Sequence, residues 1–118
     1  IELVHSKQDS MRISQIRPAI EFIEANYDKP ISVADVAKKT YLSVSRLSHI
    51  FKEQAGITIV DYITNTRIEA AKNLLISTNK NCTEICFEVG FNNQSYFTRT
   101  FKDVVNMTPR QFRNKNRM

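Results

Sequence analysis

Two segments of this chain, fifty residues apart, repeat one another, and that repeat limits the architectures open to it. Ser45-Arg46-Leu47-Ser48-His49-Ile50-Phe51-Lys52 lies over Ser95-Tyr96-Phe97-Thr98-Arg99-Thr100-Phe101-Lys102. Serine meets serine, Phe-Lys meets Phe-Lys, and Leu47 meets Phe97. The register continues to Thr58/Thr108 and Tyr62/Phe112, while upstream it slips by one, pairing Asp35 with Glu84 and Val36-Ala37 with Ile85-Cys86. A duplicated unit in 118 residues makes one compact domain, or two very small ones.

Each unit is helical by its punctuation. Ser32 can cap a short helix with Asp35 at its third position, where a carboxylate favours the positive helix end. Thr40 to Ser43 makes a turn, and Ser43 caps a further helix that ends at Ala55, before Gly56. In the second unit Asn81 caps a short helix with Glu84 at its third position, and Gly90 ends it. A helix over 93–105 follows. Thr108-Pro109 then opens a last helix to about Asn114, closed by the basic tail Arg110, Arg113, Lys115 and Arg117. A first helix carries Ile16, Ile20, Ile23 and Tyr27 on one stripe and stops at Asp28-Lys29-Pro30. Between the units, Thr58 to Ser77 reads as one long helix with Val60, Ile63, the Arg67 stem, Ile68, Ala71, Leu74 and Leu75 at helical spacing. The fold class is all-α.

A short helix, a tight turn and a longer helix form the helix-turn-helix pattern. On the first longer helix Leu47, Ile50, Phe51 and Gln54 share a face, opposite Ser45, Ser48, His49 and Lys52. On the second, Phe97, Thr100, Phe101 and Val104 are expected inside, and Ser95, Thr98, Arg99 and Lys102 outside. Short hydroxyls beside a His or Arg and a Lys suit a DNA major groove: small side chains allow close approach, and Arg can fork onto guanine. Arg46, and Gln94 at the start of the second helix, extend the candidate DNA-binding set. A solvated helix face would carry similar residues once, but two such faces in register argue for two copies of one reader. The formal net charge of +5 suits an anionic partner.

Other chemistries find little support. Cys82 and Cys86 align with Val33 and Ala37, positions that read as buried, so they are expected to be free core thiols of a cytoplasmic protein. With only His5 and His49 besides, no zinc ligand set, cofactor site or catalytic constellation is assembled. No apolar run reaches the length of a membrane span. A helical protein-interaction module is the alternative that uses the same faces, whereas an RNA reader would need aromatics on an exposed platform.

The run Ile85-Cys86-Phe87-Glu88-Val89-Gly90-Phe91, continuing through Ser95-Tyr96-Phe97 and Arg99-Thr100-Phe101-Lys102 to Thr108-Pro109 and Phe112-Arg113, resembles the DNA-binding domain of AraC/XylS-family bacterial transcription regulators. The segment from Arg67 to Leu75 resembles that family's linker helix, and the likeness covers roughly residues 15–113. Asn106 stands where the family usually has Gly, and Cys86 where it usually has Ala. The resemblance implies seven helices, two helix-turn-helix subdomains joined by the long helix, and sequence-specific binding to double-stranded promoter DNA. It also implies RNA polymerase as a further partner and an upstream effector-binding or receiver domain in the full-length protein. The expected organisation is 1–12 as linker or frayed end, 13–57 as first subdomain, 58–77 as linker helix and 78–118 as second subdomain with the basic tail. A linker of about twenty residues is ~30 Å long, close to the ~34 Å between successive major-groove faces on one side of B-DNA.

Overall fold

The structure, a computed structural model, describes residues 15–117; the expected linker over 1–12 and His5 lie outside them. Among the described residues there are seven helices and no strand. They are α1 (residues 15–26), α2 (Val33–Lys38), α3 (Val44–Ala55), α4 (Ile59–Ser77), α5 (Cys82–Glu88), α6 (Gln94–Val105) and α7 (Pro109–Asn116). The chain divides into two compact units. The first takes in α1, α2, α3 and α4 as far as Ile63; the second takes in residues 27–30 and everything from Thr64 onward.

The first unit closes on Ile16, Ala19 and Ile23 of α1, Val36 and Ala37 of α2, Leu47, Ile50 and Phe51 of α3, and Ile59 and Ile63 of α4. The ring of Phe51 meets Tyr62 edge-on with centroids 5.5 Å apart. Such spacing favours the positive ring edge over the negative face. α2 is held at its start by a capping box: the Ser32 hydroxyl accepts from the Asp35 amide, and the Asp35 carboxylate accepts from the Ser32 amide. Hydrogen bonding to the Asp35 carboxyl, from the Ser32 amide first and from the Ser32 side chain second, holds it below the usual carboxylate range.

The second unit repeats the plan with more aromatic surface. Phe91, Phe97, Phe101 and Phe112 form a chain with successive centroids 5.1, 5.9 and 5.7 Å apart. Ile68, Ala71 and Leu75 of α4 and Ile85, Cys86 and Val89 pack around it. The Asn81–Glu84 and Thr108–Gln111 pairs make reciprocal capping boxes at the starts of α5 and α7. Arg67 adds a long-range brace: its Nε donates to the Tyr27 carbonyl at 2.6 Å and its Nη2 to the Lys29 carbonyl at 3.0 Å. Its guanidinium also lies over the Phe91 ring, 5.9 Å from the centroid.

Several sequence expectations need correction. Val60 is 56% exposed and Ile59 is buried in its place, so the apolar stripe of α4 begins one residue earlier. Val104 is also exposed, at 46%, because the inward face of α6 turns onto Val105 in its last turn. Thr98 is half-buried rather than exposed. Of the two thiols, only Cys86 is buried, and burial pushes its pKa up; Cys82 is half-buried at the first position of α5. The last helix runs two residues further than expected, and two of the basic residues at its end turn back onto the fold. Arg113 Nε donates to the Leu75 carbonyl at 2.9 Å, and Arg117 Nη1 to the Thr78 carbonyl at 2.8 Å.

Candidate nucleic-acid interface

α3 and α6 are each started and stopped by local chemistry that leaves one face free. The Ser43 hydroxyl accepts from the Arg46 amide at 3.1 Å, and the Asn93 side-chain oxygen accepts from the Tyr96 amide at 2.8 Å. Each cap satisfies one of the N–H groups that a helix start leaves without a partner. At the other ends Gly56 and Asn106 both take the left-handed conformation, with φ of 80° and 68°. Asn is the side chain that best tolerates that conformation after Gly, so the duplicated helix ends in the same way in both copies.

With Leu47, Ile50 and Phe51 buried, 100° per residue turns Ser45, Arg46, Ser48, His49 and Lys52 outward, and all five are exposed. His49 Nε2 lies 3.8 Å from a carboxylate oxygen of Glu53 one turn on, a pairing not foreseen from the sequence. In α6, Phe97 and Phe101 are buried, and Gln94, Ser95, Arg99 and Lys102 are exposed. These four line an open surface concavity of about 550 Å³, together with Thr98 and with Thr108, the cap of α7. The structure thus brings all five candidates of the second copy to one place. Among the described residues no ion pair engages Arg99 or Lys102, and the Arg99–Asp103 pairing open to a helix with this spacing is not made.

Two residues beside these faces escaped the sequence reading. Val44, the first residue of α3, is 45% exposed and corresponds in the repeat to Gln94. Thr83, on α5, donates from Oγ1 to the Gln94 side-chain oxygen at 2.8 Å. The repeat register would have flagged Val44. The Thr83 contact depends on how two helices meet across a turn, which no sequence spacing encodes.

What these faces can do is hydrogen-bond and attract charge. Among the described residues there is no group of three or more His, Cys, Asp or Glu that could hold a metal ion, and no helix is long and apolar enough to cross a membrane.

Comparison with known proteins fits this geometry. A family model described as a helix-turn-helix domain matches residues 36–115. The arabinose operon regulatory protein of Salmonella typhimurium is 36% identical over 113 residues, which cover 95% of this chain and 39% of that protein. An HTH-type transcriptional regulator of Pseudoalteromonas carrageenovora is 39% identical over 114 residues, covering 95% of this chain and 68% of that regulator. The C-terminal domain of AraT, a response regulator from Geobacillus stearothermophilus, superimposes with a TM-score of 0.84 at 30% identity, over 88% of this chain and 87% of that one.

Proposed function

Because the chain belongs to the AraC/XylS family of helix-turn-helix transcription regulators, we propose that it reads double-stranded promoter DNA with α3 and α6, one in each of two successive major grooves. The observation that carries this reading is the convergence of Gln94, Ser95, Thr98, Arg99 and Lys102 on one open concavity, with residues of like kind, Ser45, Ser48, His49 and Lys52, at the α3 positions that match the last four. Small polar side chains next to the helix backbone let a helix seat deeply, and the longer Arg and Gln then reach base edges.

The roles divide by chemistry. Arg99 can fork onto guanine O6 and N7, and Gln94 can pair with adenine N6 and N7. Ser45, Ser48, Ser95 and Thr98 offer single hydrogen bonds, and His49 at most a single contact on the opposite copy. Lys52, Lys102 and Arg46 suit phosphate oxygens, which set position rather than sequence preference. The linker supports two-groove binding by its length: 19 residues at 1.5 Å each give roughly 28 Å of continuous helix. A single chain would then cover about 20 base pairs with two unlike readers, and its site would be asymmetric.

In the full-length protein we assign this domain to the output end of a regulator that works in the cytoplasm on RNA polymerase, with a separate effector-binding or receiver domain supplying the signal. The chain spans 39% of the length of the arabinose regulator it matches, which leaves room for such a domain there.

Selection from a randomised duplex library, followed by gel shifts of the selected site against an unrelated duplex and single-stranded RNA, tests the reading. One chain per selected site is expected in sedimentation of the complex. Binding should weaken with salt by about 0.9 units of log–log slope per phosphate contact. No sequence enrichment and a flat salt response would instead favour a protein-interaction module.

A further inference from the structure

We propose that Thr83 is a positioning residue that fixes the side chain of Gln94 for base reading, and that this device exists only in the second of the two copies. The inference rests on the reading of α6 as a major-groove helix. It adds a residue from the preceding helix, α5, that need not touch a base itself.

Gln94 is the first residue of α6, exposed and on the wall of the concavity that Arg99 and Lys102 share. A glutamine there has three rotatable bonds and an amide that can turn over, so in the free protein it would present donor and acceptor in any order. Ordering such a side chain at the moment of binding opposes association. Here the amide is already held: the Thr83 hydroxyl donates to Oε1 at 2.8 Å. That bond occupies one lone pair of Oε1. The second lone pair and both Nε2 hydrogens remain, which is the set adenine requires: an acceptor for its N6–H and a donor for its N7. Thr83 is itself well placed to stay still. It lies in the first turn of α5, one residue before Glu84 of the capping box, and α5 is anchored by buried Ile85 and Cys86.

The first copy lacks both partners. In the register that aligns Ser32 with Asn81, the position of Thr83 is taken by Ala34, and in the register of the longer helices that of Gln94 is taken by Val44. Neither side chain can donate or accept a hydrogen bond. Val44 offers exposed methyl groups instead, a surface suited to the C5 methyl of thymine. The duplicated unit has therefore diverged at the entry position of its reader, with an oriented amide in one copy and an apolar contact in the other. A chain built this way distinguishes the two ends of its site, and so binds in one orientation.

The test is selection from a randomised duplex library with the 118-residue chain and three variants: Gln94→Ala, Thr83→Val and Thr83→Ser. Val matches the shape of Thr without the hydroxyl, and Ser keeps the hydroxyl without the methyl. Gln94→Ala should erase the preference at one base pair. Thr83→Val should flatten the same base pair and no other, with about a fivefold loss of affinity for the parental site. Thr83→Ser should keep the parental preference. Thermal melting of each variant separates these effects from loss of folding. If Gln94→Ala erases the preference but folded Thr83→Val retains it, Gln94 reads its base unaided and the positioning role is refuted. If folded Gln94→Ala leaves every preference intact, the assignment of Gln94 as a base reader fails and the role of Thr83 goes with it.

Discussion

The Arg113 guanidinium donates through Nε to the carbonyl of Leu75, thirty-eight residues earlier and in the last turn of α4, at 2.9 Å. Its Nη2 reaches the Thr78 carbonyl at 3.1 Å, and Arg117 shares that carbonyl while also donating to the Asn79 side chain at 2.6 Å. A helix end leaves carbonyls without partners and carries partial negative charge, and two arginines from α7 and its C-cap answer both needs at once. These basic residues belong to the fold of the second unit, and Arg113 in particular is committed to backbone carbonyls.

Removing that brace should cost stability in a non-additive way. Arg113→Ala is expected to lower unfolding free energy by about 1.5–3 kcal/mol, the range for hydrogen bonds to charged groups. Arg113→Lys should recover only part, since an ammonium cannot fork onto two carbonyls. Because Arg117 serves the same Thr78 oxygen, the double Arg113→Ala, Arg117→Ala variant should lose more than the sum of the singles, by about 0.5 kcal/mol or more. Urea titrations of the four proteins measure the cycle, and strict additivity would show that the two arginines act independently.

The left-handed positions predict unequal costs. At Gly90, with φ of 106°, an added Cβ would lie 2.5 Å from the Tyr27 carbonyl oxygen and 2.8 Å from Arg67 Nε, so strain and collision act together. Gly90→Ala should destabilise by about 3 kcal/mol or more. At Gly56 nothing lies within 4 Å, and Gly56→Ala should cost only the backbone strain, about 1–2 kcal/mol. Asn106→Gly, which relieves a left-handed side chain but loosens the unfolded chain, should change stability by less than about 1 kcal/mol. Denaturation midpoints check the order, and a Gly90→Ala variant as stable as Gly56→Ala would contradict it.

How far the sequence discloses this molecule follows from the range of the interactions involved. Caps act within three residues, so Ser32, Ser43, Asn81 and Thr108 are legible from spacing, and each caps the helix expected of it, while Asn93, expected as the first residue of its helix, is the cap of that helix. The cores of α3 and α6 are legible because Leu47, Ile50 and Phe51 repeat in kind as Phe97, Thr100 and Phe101, the threonine being half-buried. Helix ends that border a turn are less so: Val60 and Val104 fit an apolar stripe by period, yet the neighbouring Ile59 and Val105 take the inward place. Arg67, Arg113 and Thr83 depend on partners 11 to 40 residues away, and nothing local marks them as braces rather than free polar groups. For the reading face, residue type and face could be named in advance, and the i,i+4 spacing of His49 and Glu53 leaves their pairing open, but the preset Gln94 amide could not be named.

The linker can be tested by breaking it. Asn73 is exposed within α4, four residues before its last residue. Proline there removes an amide donor and crowds the carbonyl one turn back, costing about 3 kcal/mol or more. Asn73→Ala keeps the helix and serves as control. A folded Asn73→Pro protein is expected to keep weak binding to any duplex while its footprint shortens from two grooves to one. An unchanged footprint and affinity would rule out α4 as a rigid spacer.

The two readers should differ in what their loss does to specificity. Arg99 is exposed and, among the described residues, held by no carboxylate, so its fork is available to guanine. Arg99→Ala should cost ~1–3 kcal/mol on the selected site and relax preference at one base pair. His49 offers at most one hydrogen bond and has Glu53 within 3.8 Å, a carboxylate that repels phosphate. His49→Ala should therefore cost less than Arg99→Ala, and Glu53→Gln should strengthen binding to all duplexes slightly, most at low salt. Lys52→Ala and Lys102→Ala should weaken every sequence alike and reduce the log–log salt slope by about one unit each. Library selection and salt titrations separate these outcomes. If Arg99→Ala returns the parental base preferences with a reduced salt slope, Arg99 contacts phosphate, and the sequence preference of α6 must come from Gln94, Ser95 and Thr98.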